Sequence, residues 1–353
     1  MDFFDFKNYS LWINFAIFAA SAIAVWIAGT KVARYADTIA VKTGIGHVAI
    51  GMVLLGGVTS LPEVAISIFS AIEDNPTLAV NNLLGGVAMQ RALLAGVDGF
   101  IGREALTVIA ASPAVLLQAA LGTFILIVVA AAVSIGDIQI FGIGAWSWTI
   151  LALYILSIWV ISASKGRKPW IPQDMEPHPS ERAYPSKRSP KNHGDGGSLK
   201  SVIAKTVAAA AVILVAGFFL SRTADAIAVQ TGLGLSFVGA VLLALATSLP
   251  ELSTVISSVR LRQYEMAISD ILGTNLFNVA LIFLVDAVYL GKPVLNGAGK
   301  FSLVASLLGA LLTMIYLIGL VERRNRTIGR MGIDSLATLV VYIAGVFVLY
   351  RLR

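Results

Sequence analysis

The chain has 353 residues, 57% of them hydrophobic and 13% charged, with no cysteine and a formal net charge of +6; its mean hydropathy is +0.84. A charged share of about half the usual value excludes a water-soluble fold, because no soluble core hides that much apolar surface. The missing thiols exclude a disulfide framework and a thiolate metal site, and the positive balance is read as loop charge that sets membrane topology, not as a nucleic-acid footprint.

In chain order, apolar runs fall near 11–30, 45–72, 77–98, 105–133 and 143–163. Each is long enough to cross a bilayer as a helix, and none alternates in polarity as a barrel strand does. No basic leader or clear cleavage site precedes the first run, which is therefore expected to be a retained helix. A polar stretch follows, rich in Pro, Ser, Lys and Arg, and reads as a flexible linker over 164–200. Five more runs lie near 201–220, 234–259, 265–290, 300–320 and 332–350. The expected fold class is all-α integral membrane: ten transmembrane helices, split as 1–163, a linker of 164–200 and 201–353.

The two halves repeat each other. ADTIAVKTGIG at 36–46 matches ADAIAVQTGLG at 224–234, and TSLPE at 59–63 recurs at 247–251. The offset of 188 holds without a gap from Asp37 and Asp225 to Asp98 and Asp286. Apolar stretches coincide by chance in Leu, Val and Ala, but not in Asp, Thr-Gly and Pro-Glu at one spacing. An odd number of crossings per half makes the second copy enter from the opposite face. Such inverted repeats are characteristic of secondary transporters with a midplane site between the repeats. Placing the linker inside collects Lys31, Arg34, Lys42, Arg103, Arg260, Arg262, Arg323, Arg324, Arg326 and Arg330 on the inner side. Lys7, Arg222, Lys292, Lys300, Arg351 and Arg353 are left outside with both termini.

Within the spans, Glu63 and Glu251 stand at matching positions about halfway along apolar runs. A carboxylate in lipid costs several kcal/mol unless it is paired or faces a polar cavity. No lysine or arginine in these two runs offers itself, so a bound cation is the natural counter-charge. Two carboxylates suit a hard divalent ion such as calcium, which takes oxygen ligands. The plainer alternative is a pair of protonated glutamates bonded to neighbouring backbone. Pro62 and Pro250 free carbonyls one turn earlier, around Thr59 and Thr247, and Ser60 and Ser248 add hydroxyls. The next run of the second half reads SDILGTNLFN, with Asp270, Thr274, Asn275 and Asn278. The first half has Asn82, Gly86, Val87 and Gln90 at the same places. These residues are either further oxygen ligands or hydrogen-bonding glue between helices. Gly85 and Gly273 are expected at close helix contacts. Asp98 and Asp286 are expected to be solvated near helix ends, and Asp37 and Asp225 at loops or caps. His47 is expected to be interfacial.

ATSLPE at 246–251 followed by SDILGTNLFN at 269–278, with VTSLPE at 58–63, resembles the cation/calcium exchanger superfamily, which includes sodium/calcium exchangers. The resemblance covers roughly 36–98 and 224–286. It implies Glu63 and Glu251 as shared calcium ligands, Thr59 and Thr247 as carbonyl donors, and Ser60, Ser248, Thr274 and Asn278 at sodium-coordinating positions. The chain departs from the family pattern at Gly86, Val87, Gln90, Asn278 and Asp270. The metal-ligand set is thus Glu63, Glu251, Thr59, Thr247, Ser60, Ser248, Thr274, Asn278, Gln90, Asn82 and Asp270. The expected function is a plasma (inner) membrane antiporter that exchanges calcium, or a similar divalent cation, for sodium by alternating access. Proton coupling is the alternative, favoured by Gly86 and Val87. No cofactor and no nucleic-acid partner are expected; the partners are inorganic cations and the bilayer. A membrane enzyme or a non-transporting scaffold ranks lower, because no Ser/His/Asp set, HExxH motif or cysteine is present.

Overall fold

A computed structural model describes residues 5–43, 59–101, 106–109, 112–163, 198–260, 264–322, 327–328 and 331–352. The expectations for His47, His178, His193, the side chain of Asp37 and nearly all of the basic linker lie outside the described residues.

The helices of the first half are α1 (Leu11–Thr43), α2 (Leu61–Ile72), α3 (Pro76–Ile101), α4 (Pro113–Ile135) and α5 (Ala145–Ala163). Those of the second half are α6 (Leu199–Thr231), α7 (Leu235–Thr247), α8 (Leu249–Arg260), α9 (Tyr264–Val288), α10 (Gly299–Glu322) and α11 (Ile333–Arg351). A two-residue antiparallel hairpin precedes α5 (β1 Gln139–Ile140, β2 Ile143–Gly144) and another precedes α11 (β3 Thr327–Ile328, β4 Met331–Gly332). The offset of 188 read from the motifs extends to the elements: Leu11 and Thr43 bound α1 where Leu199 and Thr231 bound α6, and both hairpins keep the same spacing.

Local chemistry sets the ends. Ser198 caps α6 through its Oγ, which accepts from Ser201 N at 3.3 Å, and Gly232 closes the helix in the left-handed region at φ 67°. Ser112 caps α4 in the same way, with Pro113 in the first turn, where a missing N–H costs no helical bond. Asp225, expected at a loop or cap, lies inside α6 instead. It is buried, and its Oδ2 pairs with Lys7 Nζ at 2.9 Å.

Among the described residues, seven helices are long and apolar enough to cross a membrane, and the bent pair α7–α8 makes eight. The shortfall from ten lies in the first half. Only the second part of the run ending in α2 is described, and α3 is too polar to qualify by composition. α3 is nonetheless 26 residues long. It can carry Asn81, Asn82, Gln90, Arg91 and Asp98 because protein surrounds it: all five are buried. α3 and α9 run through the centre, packed on each other, while α4 packs against α10 and α1 along α6 at the periphery.

The halves are interlocked by mirrored contacts. Asp98 Oδ1 accepts from Leu106 N (2.7 Å) in its own half, and Oδ2 accepts from Gly332 N (2.8 Å) in the other. Asp286 does the same, with Val294 N at 3.0 Å and Gly144 N at 2.8 Å. This corrects the solvated role expected for both: they are 1% and 2% exposed and tie each hairpin to the opposite half. Buried N–H groups need acceptors, and a two-oxygen carboxylate serves two at once. Glycines mark the closest crossings. A Cβ on Gly85 would lie 2.3 Å from the backbone of Ala240, in the π-helical turn Gly239–Leu243 of α7. Gly273 is different: its Cβ would meet only Gln118 Nε2 at 3.7 Å, an ordinary contact, so the close approach expected of both glycines holds for Gly85 alone.

Candidate cation site

Helices α7 and α8 form one span broken at Ser248, with a 44° bend. Pro250 sits in the first turn of α8 and Pro62 in the first turn of α2, where each helps start a helix. Glu63 and Glu251 therefore lie in first turns, not halfway along continuous helices as the runs suggested. The positive end of each helix dipole favours a carboxylate there. Because Pro250 has no N–H, the carbonyl one turn earlier is released from the helical ladder. The Ser60 and Ser248 carbonyls, by contrast, accept from Val64 N and Leu252 N at 3.0 Å.

Each glutamate faces the other half. The Glu63 carboxyl lies against the Thr247 side chain, the Glu251 carboxyl lies against that of Thr59, and the two carboxyls are within electrostatic reach of each other. They are 1% and 0% exposed. Neither oxygen of either carboxyl makes an aligned hydrogen bond among the described residues.

The flanking helices add more buried polar atoms in the same condition. On α3 these are both amide atoms of Asn82 and of Gln90; on α9, Thr274 Oγ1 and both amide atoms of Asn278; at the start of α2, Ser60 Oγ, and at the α7–α8 break, Ser248 Oγ. Buried polar groups are nearly always bonded to protein, water or an ion. Oxygens in this condition on neighbouring helices are available to a hydrated or bare cation. Among the described residues no cluster of three or more Asp, Glu, His or Cys is present. The donor set is two carboxylates with hydroxyl and amide oxygens, which suits a hard cation.

Not every expected ligand stands in this set. Asp270 is only partly buried, and its Oδ2 accepts from Thr254 Oγ1 at 2.5 Å; that hydroxyl is also 2.8 Å from the Glu251 carbonyl. It is set back behind Thr254. Thr247 Oγ1 is 3.3 Å from the Ala244 carbonyl.

Two residues of these helices, Ser67 and Arg91, are not selected by the sequence reading, and Asn275, part of its polar cluster, stands outside its ligand set. Asn275 is 3% exposed with both amide atoms orphaned, and Ser67 Oγ is buried without a partner on α2. Both are in-span polar residues, the signal that found their neighbours. Arg91, beside Gln90 on α3, is 1% exposed; its Nε donates to Thr313 Oγ1 at 3.2 Å, and Nη1 has no partner among the described residues. It places a buried cation on the helix next to the carboxylates, outside the two runs that hold Glu63 and Glu251.

The family model for the sodium/calcium exchanger protein matches residues 13–163 and 201–351. The inner membrane protein YrbG of Escherichia coli (strain K12) is 27% identical over 267 residues, covering 75% of each chain. Among solved structures, an H+/Ca2+ exchanger CAX superposes with a TM-score of 0.67 at 14% identity, over 96% of this chain and 85% of that one. The sodium-calcium exchanger NCX_Mj gives a TM-score of 0.59 at 16% identity, over 96% and 99%. Native YfkE gives 0.62 at 17%, over 95% and 91%.

Proposed function

The chain belongs to the sodium/calcium exchanger protein family, and from that premise we propose that it is a secondary active antiporter exchanging calcium, or a similar divalent cation, for sodium. The observation that carries this reading is the pair of mirrored, buried glutamates with four orphaned oxygens, together with the orphaned side chains of Ser60, Ser248, Asn82, Gln90, Thr274 and Asn278 on the same and neighbouring helices. In this reading the chain crosses an inner (plasma) membrane ten times as two inverted repeats, with both termini outside and the linker in the cytoplasm. Calcium binds between Glu63 and Glu251. Competing ions take the same carboxylates from the other side, so the two conformers interconvert only when loaded. Gln90 and Asn82 complete the cation-facing set, with Thr59 and Thr247 giving carbonyls, while Asp270 stands behind the Thr254 hydroxyl.

A specific observation favours protons as the counter-ion in a second reading. Thr274 brings a buried hydroxyl to the site on α9, whereas its counterpart on α3 is Gly86, whose missing side chain leaves open space with nothing within 4 Å of an added Cβ. One half of the site therefore lacks a hydroxyl ligand for sodium, and a desolvated carboxylate can load a proton instead.

The test is calcium flux in proteoliposomes with sodium and pH gradients imposed separately. Flux is expected to follow one gradient and to fall by at least about 100-fold in Glu63→Gln and in Glu251→Gln, in line with loss of a charged ligand worth about 3 kcal/mol. Flux retained in both variants would sink the assignment.

A further inference from the structure

Outside the ion region, the described surface holds a groove with a chemistry of its own. Phe69 of α2 and Leu214, Val215, Phe218 and Phe219 of α6 line an open crevice of about 450 Å³ at the seam between the two helices. All five side chains are apolar, and Leu214 and Val215 are 40% and 59% exposed. The rings are ordered against one another: Phe69 meets Phe218 edge-on at 5.4 Å, and Phe218 meets Phe219 at 5.5 Å. Positions 214, 218 and 222 share one face of α6. From Leu214 to Arg222 this face rises about 12 Å, most of the hydrocarbon depth of one leaflet.

The end of the groove is basic on its outer side. The Arg222 guanidinium lies over the Phe218 ring at 5.6 Å. Arg222 pairs with Glu73 at 2.6 Å and Lys7 with Asp225 at 2.9 Å, so the four charges sum to zero. They are not equally presented. The basic side chains are 39% and 52% exposed, and their acidic partners 9% and 11%. The acids are turned inward and the bases outward. What approaches along the membrane meets an apolar slot that leads up to two exposed cations at its mouth.

We propose that this groove binds one anionic phospholipid, with an acyl chain lying along Leu214, Val215, Phe218, Phe219 and Phe69 and the phosphate against Arg222 with Lys7 beside it. A charged guanidinium stacked on an aromatic ring is held in place for a phosphate, and it presents N–H donors in a fixed plane. The site joins α6 to α2, the helix that carries Glu63, so the lipid fills a seam beside the ion region. It does not depend on which ions the chain carries.

The experiment uses the full chain reconstituted with phospholipids bearing a photoactivatable acyl chain, either phosphatidylglycerol or phosphatidylcholine, and maps the cross-linked residues by mass spectrometry. The reference surface is the outward face of α11, where Val340, Ile343 and Phe347 are 59%, 55% and 69% exposed. Labelling at 214–219 is expected to exceed labelling at 340–347 and to prefer phosphatidylglycerol. Arg222→Gln should cut that preference about fivefold, the weight of one basic residue at a lipid surface. Val215→Trp, which fills the slot from its exposed side, should abolish labelling at 214–219 while leaving that at 340–347 unchanged; the unchanged reference label reports an intact fold. Equal labelling of the two surfaces would mean annular lipid only and would overturn the proposal. So would equal labelling by the two headgroups.

Discussion

The central helices α3 and α9 occupy corresponding places in the two halves and differ where the chemistry is. α9 presents Thr274, Asn275 and Asn278; α3 presents Gly86, Val87 and Gln90 at the same positions, with Arg91 where α9 has Val279. Asn275 is buried with an orphaned amide, while Val87 is buried in the apolar core and touches the position of Gly309. The hairpins and the paired aspartates, by contrast, are alike in both halves. The contacts that hold the frame are backbone contacts made by Asp98 and Asp286, and they do not constrain what the middle of α3 or α9 carries. One frame can thus keep its symmetry while one side of the site loses a hydroxyl and gains a buried cation.

That comparison can be broken at several points. The largest effect on folding is expected where the two glycines differ. Gly85→Ala drives a methyl into the Ala240 backbone, which cannot move aside as a flexible side chain would. It should cost about 3 kcal/mol, the upper end for overpacking. Gly273→Ala has room and should be neutral or stabilising by up to about 1 kcal/mol, the helix preference for Ala over Gly. Thermal unfolding of the purified variants in detergent reads both; equal losses would mean that α7 does not press on α3 as described.

Next come the hairpin ties. Asp98→Asn and Asp286→Asn each turn an amide NH₂ toward a backbone N–H, and each should lose about 1–3 kcal/mol. Similar losses are expected because the bonds are mirrored; a loss confined to one variant would make that crossing the dominant one.

A smaller effect is expected at the site. Gly86→Ser places a hydroxyl in open space and should raise the sodium dependence of calcium uptake, and Thr274→Gly should lower it. Each change should be roughly tenfold, as for one oxygen ligand worth about 1.4 kcal/mol. Flux against graded sodium measures it. No change in either variant would remove these positions from ion coupling.

The smallest effect concerns pH. Glu73, just beyond the end of α2, is pushed up to about 7 by burial, with the Arg222 guanidinium pulling the other way. Its folded value is above its ordinary one, so the folded state holds the proton longer. Stability should therefore fall as pH rises from the ordinary carboxylate range through about 7, and level off above it. Glu73→Gln should flatten that slope in melting temperatures taken across the window. The mirrored positions hold Arg34 and Leu261, so no second carboxylate of this kind is expected. An unchanged slope would assign the pH response to another group.

How much was legible in the sequence follows from how local each signal is. Glu63 and Glu251 stood out because a charge inside an apolar run is costly, and TSLPE at a fixed spacing marked them as equivalent. The same polarity argument found Asn82, Gln90, Thr274 and Asn278, which the structure leaves buried with orphaned atoms. It failed for Asp98 and Asp286. Nearness to a run's end suggests solvent, yet their partners Gly332 and Gly144 are more than a hundred residues away. It placed Glu63 and Glu251 mid-helix because hydropathy does not register a bend.

By itself, then, the sequence determined the membrane class, the repeat and its offset of 188, and the costly carboxylates. These depend on residue type and spacing along one stretch of chain. Only the tertiary structure decided that Glu63 faces Thr247 and Glu251 faces Thr59, that Asp270 is set back on Thr254, and that α3 is shielded enough to carry Arg91. Each of these is set by which helices come together, within one half for Asp270 and Thr254 and across the two halves for the others. That is fixed by packing at places such as Gly85 against Ala240, and it leaves no periodic trace in the residues themselves.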